Sequence, residues 1–174
     1  MRHLAPLAAL CAALATPLTA ADLHFCWRGD NGYTMTGVLS LPDSALKQDL
    51  VTEADVTGLV ITGYHMGRVL GRWDSRKQRP GATWHLRFDP QTRQFLTGGS
   101  FTTDQSQGWN ANGSVNDCGN PGFGFNSGNY AQDLCVDGTY IHLSSIDPAT
   151  PLLAGDAPAA PSCDSRMLLG KRQP

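Results

Sequence analysis

Turn residues break this chain so often that no amphipathic helix of useful length fits between them, which leaves strands as its regular structure. Among fifteen acidic residues Glu53 is the only glutamate, and 19 glycines and 11 prolines accompany that bias. Asp, Gly and Pro favour turns whereas Glu favours helix, so composition and pattern agree.

The strands themselves are legible where apolar and polar residues alternate. Leu23 to Trp27 reads as a first strand, Asn31-Gly32 as a tight hairpin turn, and Tyr33 to Leu41 as the return strand. In the return strand Tyr33, Met35, Leu39 and Leu41 point one way and Thr34, Thr36 and Ser40 the other. Val56 to Thr62, with Gly58 as a bulge, and Gly67 to Trp73 are further candidates. Trp84, Leu86 and Phe88 alternate with His85 and Arg87, which the pattern assigns to solvent. The turn Asp89-Pro90-Gln91-Thr92 then leads to Phe95, Thr97, Gly99 and Phe101. Residues 104–138, rich in Gly, Asn, Asp and Ser, read as a long loop system with room for a short strand near Trp109 to Val115, and Tyr140 to Ile146 as the last strand. Short strands joined by turns imply an all-β fold, an antiparallel β-sandwich or open barrel with a long disulfide-stapled Gly/Asn-rich loop.

Residues 1–21 have the layout of a signal peptide: a basic start at Arg2, an apolar run to about Leu18 and small residues at Thr19-Ala20-Ala21. The run is interrupted by Pro6 and Pro17 and is too short to span a bilayer, so export is expected, to a periplasmic or extracellular site, with no transmembrane segment after processing. Residues 22–148 then form the β-sandwich-like domain and 149–174 a Pro/Ala-rich C-terminal extension. Four cysteines remain in the mature chain: Cys26, Cys118, Cys135 and Cys163. An even number in an oxidising compartment implies disulfides. Three pairings are open to them; we favour Cys118–Cys135, closing the loop between them, and Cys26–Cys163, tying the ends. Zinc is disfavoured, because no two cysteines have ligand spacing.

The segments Gly37-Val38-Leu39-Ser40-Leu41-Pro42-Asp43, Phe88-Asp89-Pro90-Gln91-Thr92-Arg93-Gln94-Phe95 and Pro121-Gly122-Phe123-Gly124-Phe125 together resemble a group of exported bacterial β-sandwich domains. Members of that group often end in a membrane-sorting tail. The resemblance covers roughly residues 30 to 146. The tail is missing here, since Met167-Leu168-Leu169-Gly170 is far too short for one. The resemblance implies an exported β-domain and no activity.

No local signature of nucleophilic catalysis is present, and the mature histidines His24, His65, His85 and His142 are scattered. Most aspartates belong to turns, which explains them without pairing two for glycoside hydrolysis. The reading is therefore an exported, non-catalytic β-domain with a binding or structural role at the cell envelope and no cofactor. A calcium- or carbohydrate-binding module using the 104–138 loops is the first alternative, and a small secreted hydrolase with a dispersed site the second. Calcium would draw on Asp117, Asp133 and Asp137, oxygen donors in the polar loop. Trp109, between Gly108 and Asn110, is the tryptophan placed to stack on a sugar. Arg68, Arg72, Arg76, Lys77 and Arg79 form a positive flank suited to an anionic glycan or envelope surface. A net charge of −2 gives no field for nucleic acid.

Overall fold

The computed structural model describes residues 20–78, 84–100, 103–111, 118–157 and 163. Twelve strands lie among them: β1 (Ala20–Arg28), β2 (Tyr33–Pro42), β3 (Val51–Thr52), β4 (Gly58–His65), β5 (Arg68–Asp74), β6 (Arg87–Asp89), β7 (Gln94–Phe95), β8 (Gln107–Trp109), β9 (Phe123–Ser127), β10 (Gln132–Val136), β11 (Thr139–Tyr140) and β12 (Leu152–Asp156). They form two antiparallel sheets, one of eight strands in the order β3-β6-β7-β12-β1-β2-β4-β5 and one of four in the order β11-β10-β9-β8. The larger sheet curls over the smaller, and a shared apolar core fills the space between.

Three two-residue hairpins fix the register. Asn31-Gly32, Met66-Gly67 and Asp137-Gly138 all have positive φ at both positions, as a turn matched to strand twist requires. With that register Phe25 stands directly opposite Gly37, and its ring occupies the space a Cβ would take there. Gly63 and Gly71 are likewise paired, and the Phe123 ring from the smaller sheet sits over both. These glycines are ring seats, and the Gly63–Gly71 pair under Phe123 locks sheet to sheet. Trp109 lies at the centre of the core, 5.4 Å from Phe25, 5.0 Å from Phe95 and 4.9 Å from Phe125 between ring centroids.

Two buried glutamines complete the interface with the same device. Gln132 accepts a hydrogen bond from Trp27 Nε1 (2.9 Å) and donates to the carbonyls of Pro148 and Thr150. Gln107 accepts from Trp109 Nε1 (3.2 Å) and donates to the carbonyls of Arg87 and Leu96. Each amide thus satisfies an indole N–H and ties it to two backbone carbonyls, of which those of Arg87 and Thr150 also accept from the Leu96 N–H and Thr97 Oγ1.

The disulfides are Cys26–Cys163 and Cys118–Cys135, the favoured pairing. Two bridges fit an oxidising, exported setting. Among the described residues no helix is long and apolar enough to cross a membrane. Residues 1–19, which hold most of the expected signal peptide, lie outside the described residues.

The segment read as a loop system differs from expectation: it contains β8, β9 and β10, three of the four strands of the smaller sheet. The extension expected from residue 149 supplies β12, which pairs with both β1 and β7 inside the larger sheet. Conversely, the strand expected from Tyr140 to Ile146 is only β11, followed by a 3-10 turn at His142–Ser144. Gly58 makes no bulge; the irregularity falls at Gly63/Tyr64, opposite an extra residue, Leu70. His85, assigned to solvent, is buried through its bridge to Gly108, with Nε2 2.9 Å from the Thr103 carbonyl.

Candidate functional site

The outward face of β1, β2, β4 and β5 carries the side chains that alternation turns away from the core. Register sets them in rows across the sheet. One row holds Arg28, Thr34, Tyr64 and Val69; the next holds Cys26, Thr36, Thr62 and Arg72; the next His24, Val38, Val60 and Asp74. Thr and β-branched residues suit strands intrinsically, yet three threonines, a tyrosine and two arginines gathered in two neighbouring rows make a surface of hydroxyls and positive charge. Acidic residues sit elsewhere on this face. Asp74 is engaged by Arg76 through a bidentate pair (2.8 and 3.0 Å), and Asp22 accepts from Ser40.

Cys163, bonded to Cys26, stands on this face and borders two open recesses. One, of about 730 Å³, is lined by Arg28, Tyr33, Thr34, Thr36, Tyr64 and Met66 among others. The other, of about 400 Å³, is lined by His24, Thr36, Val38, Thr62 and Arg72 among others. Thr36 and Cys163 belong to both.

The expected positive flank is not a single surface. Alternation from Arg72 would place Arg68 beside it, but the bulge at Leu70 reverses the parity. Arg68 therefore pairs with His65 on the opposite face, near the Tyr33 ring that stacks on His65 at 4.1 Å. Arg76 is committed to Asp74, whose carboxyl it holds below the ordinary range, and its stem lies over Gly58. Lys77 follows in an exposed 3-10 turn, and Arg79 lies outside the described residues. Of the five, Arg72 alone is brought to the recesses, and no ion-pair partner holds it among the described residues.

Trp109 has no exposed surface, so it offers no sugar platform. β8 pairs Trp109 with Phe125 and turns both rings into the core, while Gly108 precedes it in the strand and Asn110, at φ 51°, bends the chain just past the strand's end. The calcium candidates separate too. Asp137 opens a hairpin turn, where its Oδ1 accepts from the Gly122 N–H (3.0 Å). Asp133 lies four residues earlier on β10, roughly 13 Å along an extended chain. Asp117 lies outside the described residues. Among the described residues no three His, Cys, Asp or Glu side chains converge as metal ligands.

Asp133 is the chemical anomaly of the molecule. It is 1% exposed, and its Oδ1 has no hydrogen-bond partner. Burial pushes its carboxyl up to about 7, against smaller opposing effects of hydrogen bonds from Tyr140 and Asn126. A carboxyl so enclosed cannot meet a substrate, so it bears on stability rather than on chemistry.

No family model matches this chain, and neither a curated protein nor a solved structure is similar to it.

Proposed function

We propose that this chain is an exported, non-catalytic binding domain of the cell envelope, periplasmic or extracellular, whose ligand is an anionic polysaccharide held on the outward face of the larger sheet. The observation that carries this reading is the pair of open recesses flanking Cys26–Cys163, with Thr34, Thr36 and Thr62 as hydroxyls, Tyr64 as a ring and Arg72 as a cation with no ion-pair partner among the described residues. An extended chain of uronic acids presents what such a face takes: hydroxyls for the threonines, flat apolar ring faces for the tyrosine, and a carboxylate for a planar guanidinium. The recesses are open and lie side by side, as a polymer passing across the strands requires. The resemblance to exported bacterial β-domains supports the setting.

Titration calorimetry with a polyuronate oligomer tests it. Binding should appear at low salt and weaken as salt rises, because an exposed cation is screened over about 8 Å at physiological ionic strength. Arg72→Glu should weaken it about tenfold or more, since a charge pair becomes a repulsion. Arg68→Glu, on the opposite face, should leave it nearly unchanged. Equal losses from both substitutions would return the interaction to bulk charge and refute the assigned face.

A further inference from the structure

Three turns meet at one end of the larger sheet, and each carries an apolar side chain into solvent or braces one that does. Met66 opens the β4–β5 turn and is 71% exposed; Val69, next along β5, is 66% exposed; Leu143, in the 3-10 turn, is 63% exposed. These are three of the five large apolar side chains exposed among the described residues. The turns are joined through the β1–β2 hairpin. Met66 N–H donates to the Gly32 carbonyl (3.0 Å), and Asn31 Nδ2 donates to the Leu143 carbonyl (3.0 Å). The stacked rings of Tyr33 and His65 brace the pair of hairpins from the inner side.

Met66 is also an anomaly of sequence. It occupies a left-handed position (φ 49°) that the other two hairpins give to Asn31 and Asp137, residues that adopt this conformation at least cost. A methionine there gains little burial in return, its thioether touching Gly32 while most of the side chain stays in solvent. Strain retained at an exposed site is a mark of function.

Charge at this end is one-sided. Residues 28–36, 62–72 and 139–146, which build the three turns and their strands, contain Arg28, Arg68 and Arg72 and a single acid, Asp30. Asp30 spends one carboxylate oxygen on the Asn31 N–H (2.8 Å). Apolar tips ringed by arginine are the arrangement by which a folded domain enters the headgroup region of an anionic bilayer.

We propose that this end of the sheet is a membrane-docking tip, with Met66, Val69 and Leu143 entering the interface and Arg68 meeting anionic headgroups. Met66 and Arg28 also border the larger recess, but the proposal does not rest on polysaccharide binding, because vesicle binding is read with no glycan present. Flotation with lipid vesicles tests it. The full chain should float with vesicles of phosphatidylcholine containing phosphatidylglycerol, and should remain at the bottom with phosphatidylcholine alone. The variant M66N/V69T/L143Q should bind the anionic vesicles about tenfold more weakly, since apolar insertion is removed while every arginine is kept. M66N alone places the favoured residue in the turn, so it should fold at least as well as the parent and still bind measurably less. A parent chain that fails to float with anionic vesicles, or a triple variant and an M66N variant that both float as the parent does, would overturn the docking tip.

Discussion

Exchanging Asp133 for Asn should leave stability unchanged near pH 4 and raise it by about 4 kcal/mol at pH 9. The folded chain holds the Asp133 proton until about pH 7, while an exposed aspartate releases it near 3.8. Between those values the unfolded chain binds fewer protons, so stability falls as pH rises and the loss is complete above the folded value. A difference of about three pH units corresponds to roughly 4 kcal/mol. The cause is geometric: an anion at this site would have an unpartnered Oδ1 in a closed environment, and the two groups that hydrogen-bond it, Tyr140 and Asn126, are neutral. Asparagine has nearly the same shape and no charge to bury. Other carboxylates act in the opposite sense and at lower pH. Asp89 is held below its usual range by Thr92 and Asp55 by Thr52; for Glu53 burial alone would raise the value, but the Leu86 N–H and Arg87 outweigh it. Their contributions fade only as pH drops through the acidic range, so the parent chain should be most stable near pH 4 and lose stability steadily above it. Denaturant unfolding of parent and variant across pH checks this. Parallel curves would mean that Asp133 is not held protonated by the fold.

Gln132→Leu should cost about 3 kcal/mol despite placing an apolar side chain of similar size in the core. The substitution strands the buried Trp27 Nε1–H and the half-buried Pro148 carbonyl, and leaves the Thr150 carbonyl with Thr97 Oγ1 as its donor. Each unsatisfied group costs about 1–3 kcal/mol, and the leucine recovers only part of that through burial. The loss should appear as a lowered denaturation midpoint with an unchanged slope, together with altered Trp27 fluorescence. A loss below about 1 kcal/mol would show that these carbonyls find other partners and that the hydrogen bonds are incidental.

Gln132 also illustrates where the sequence became unreadable. β9 and β10 are buried along nearly their whole length, with both faces covered. Their polar residues, Asn126, Ser127, Gln132 and Asp133, are hidden from solvent, so the alternation that marks β2 is absent and the segment reads as loop. β2 was legible because one face meets the core and the other meets solvent. The Asn31-Gly32 turn was legible because its residues carry the conformation; Met66-Gly67 was not, because methionine gives no such signal. Half of the candidate site was on the page from the start, since Thr34 and Thr36 alternate with core residues. Their union with Thr62, Tyr64 and Arg72 depends on cross-strand register, and a single extra residue, Leu70, decides which arginine joins them. β12 escaped notice because it follows Pro151 and is built from Leu, Ala and Gly, with little strand propensity beyond its two leucines.

The central claim, that the outward face of β1, β2, β4 and β5 is the ligand face, is tested most directly by following backbone amide resonances while a polyuronate oligomer is added. Shifts should concentrate at Thr34, Thr36, Thr62, Tyr64 and Arg72, and should be absent from the strands of the smaller sheet. Perturbation centred on residues 103–111 or 118–131, with those five signals unmoved, would contradict it.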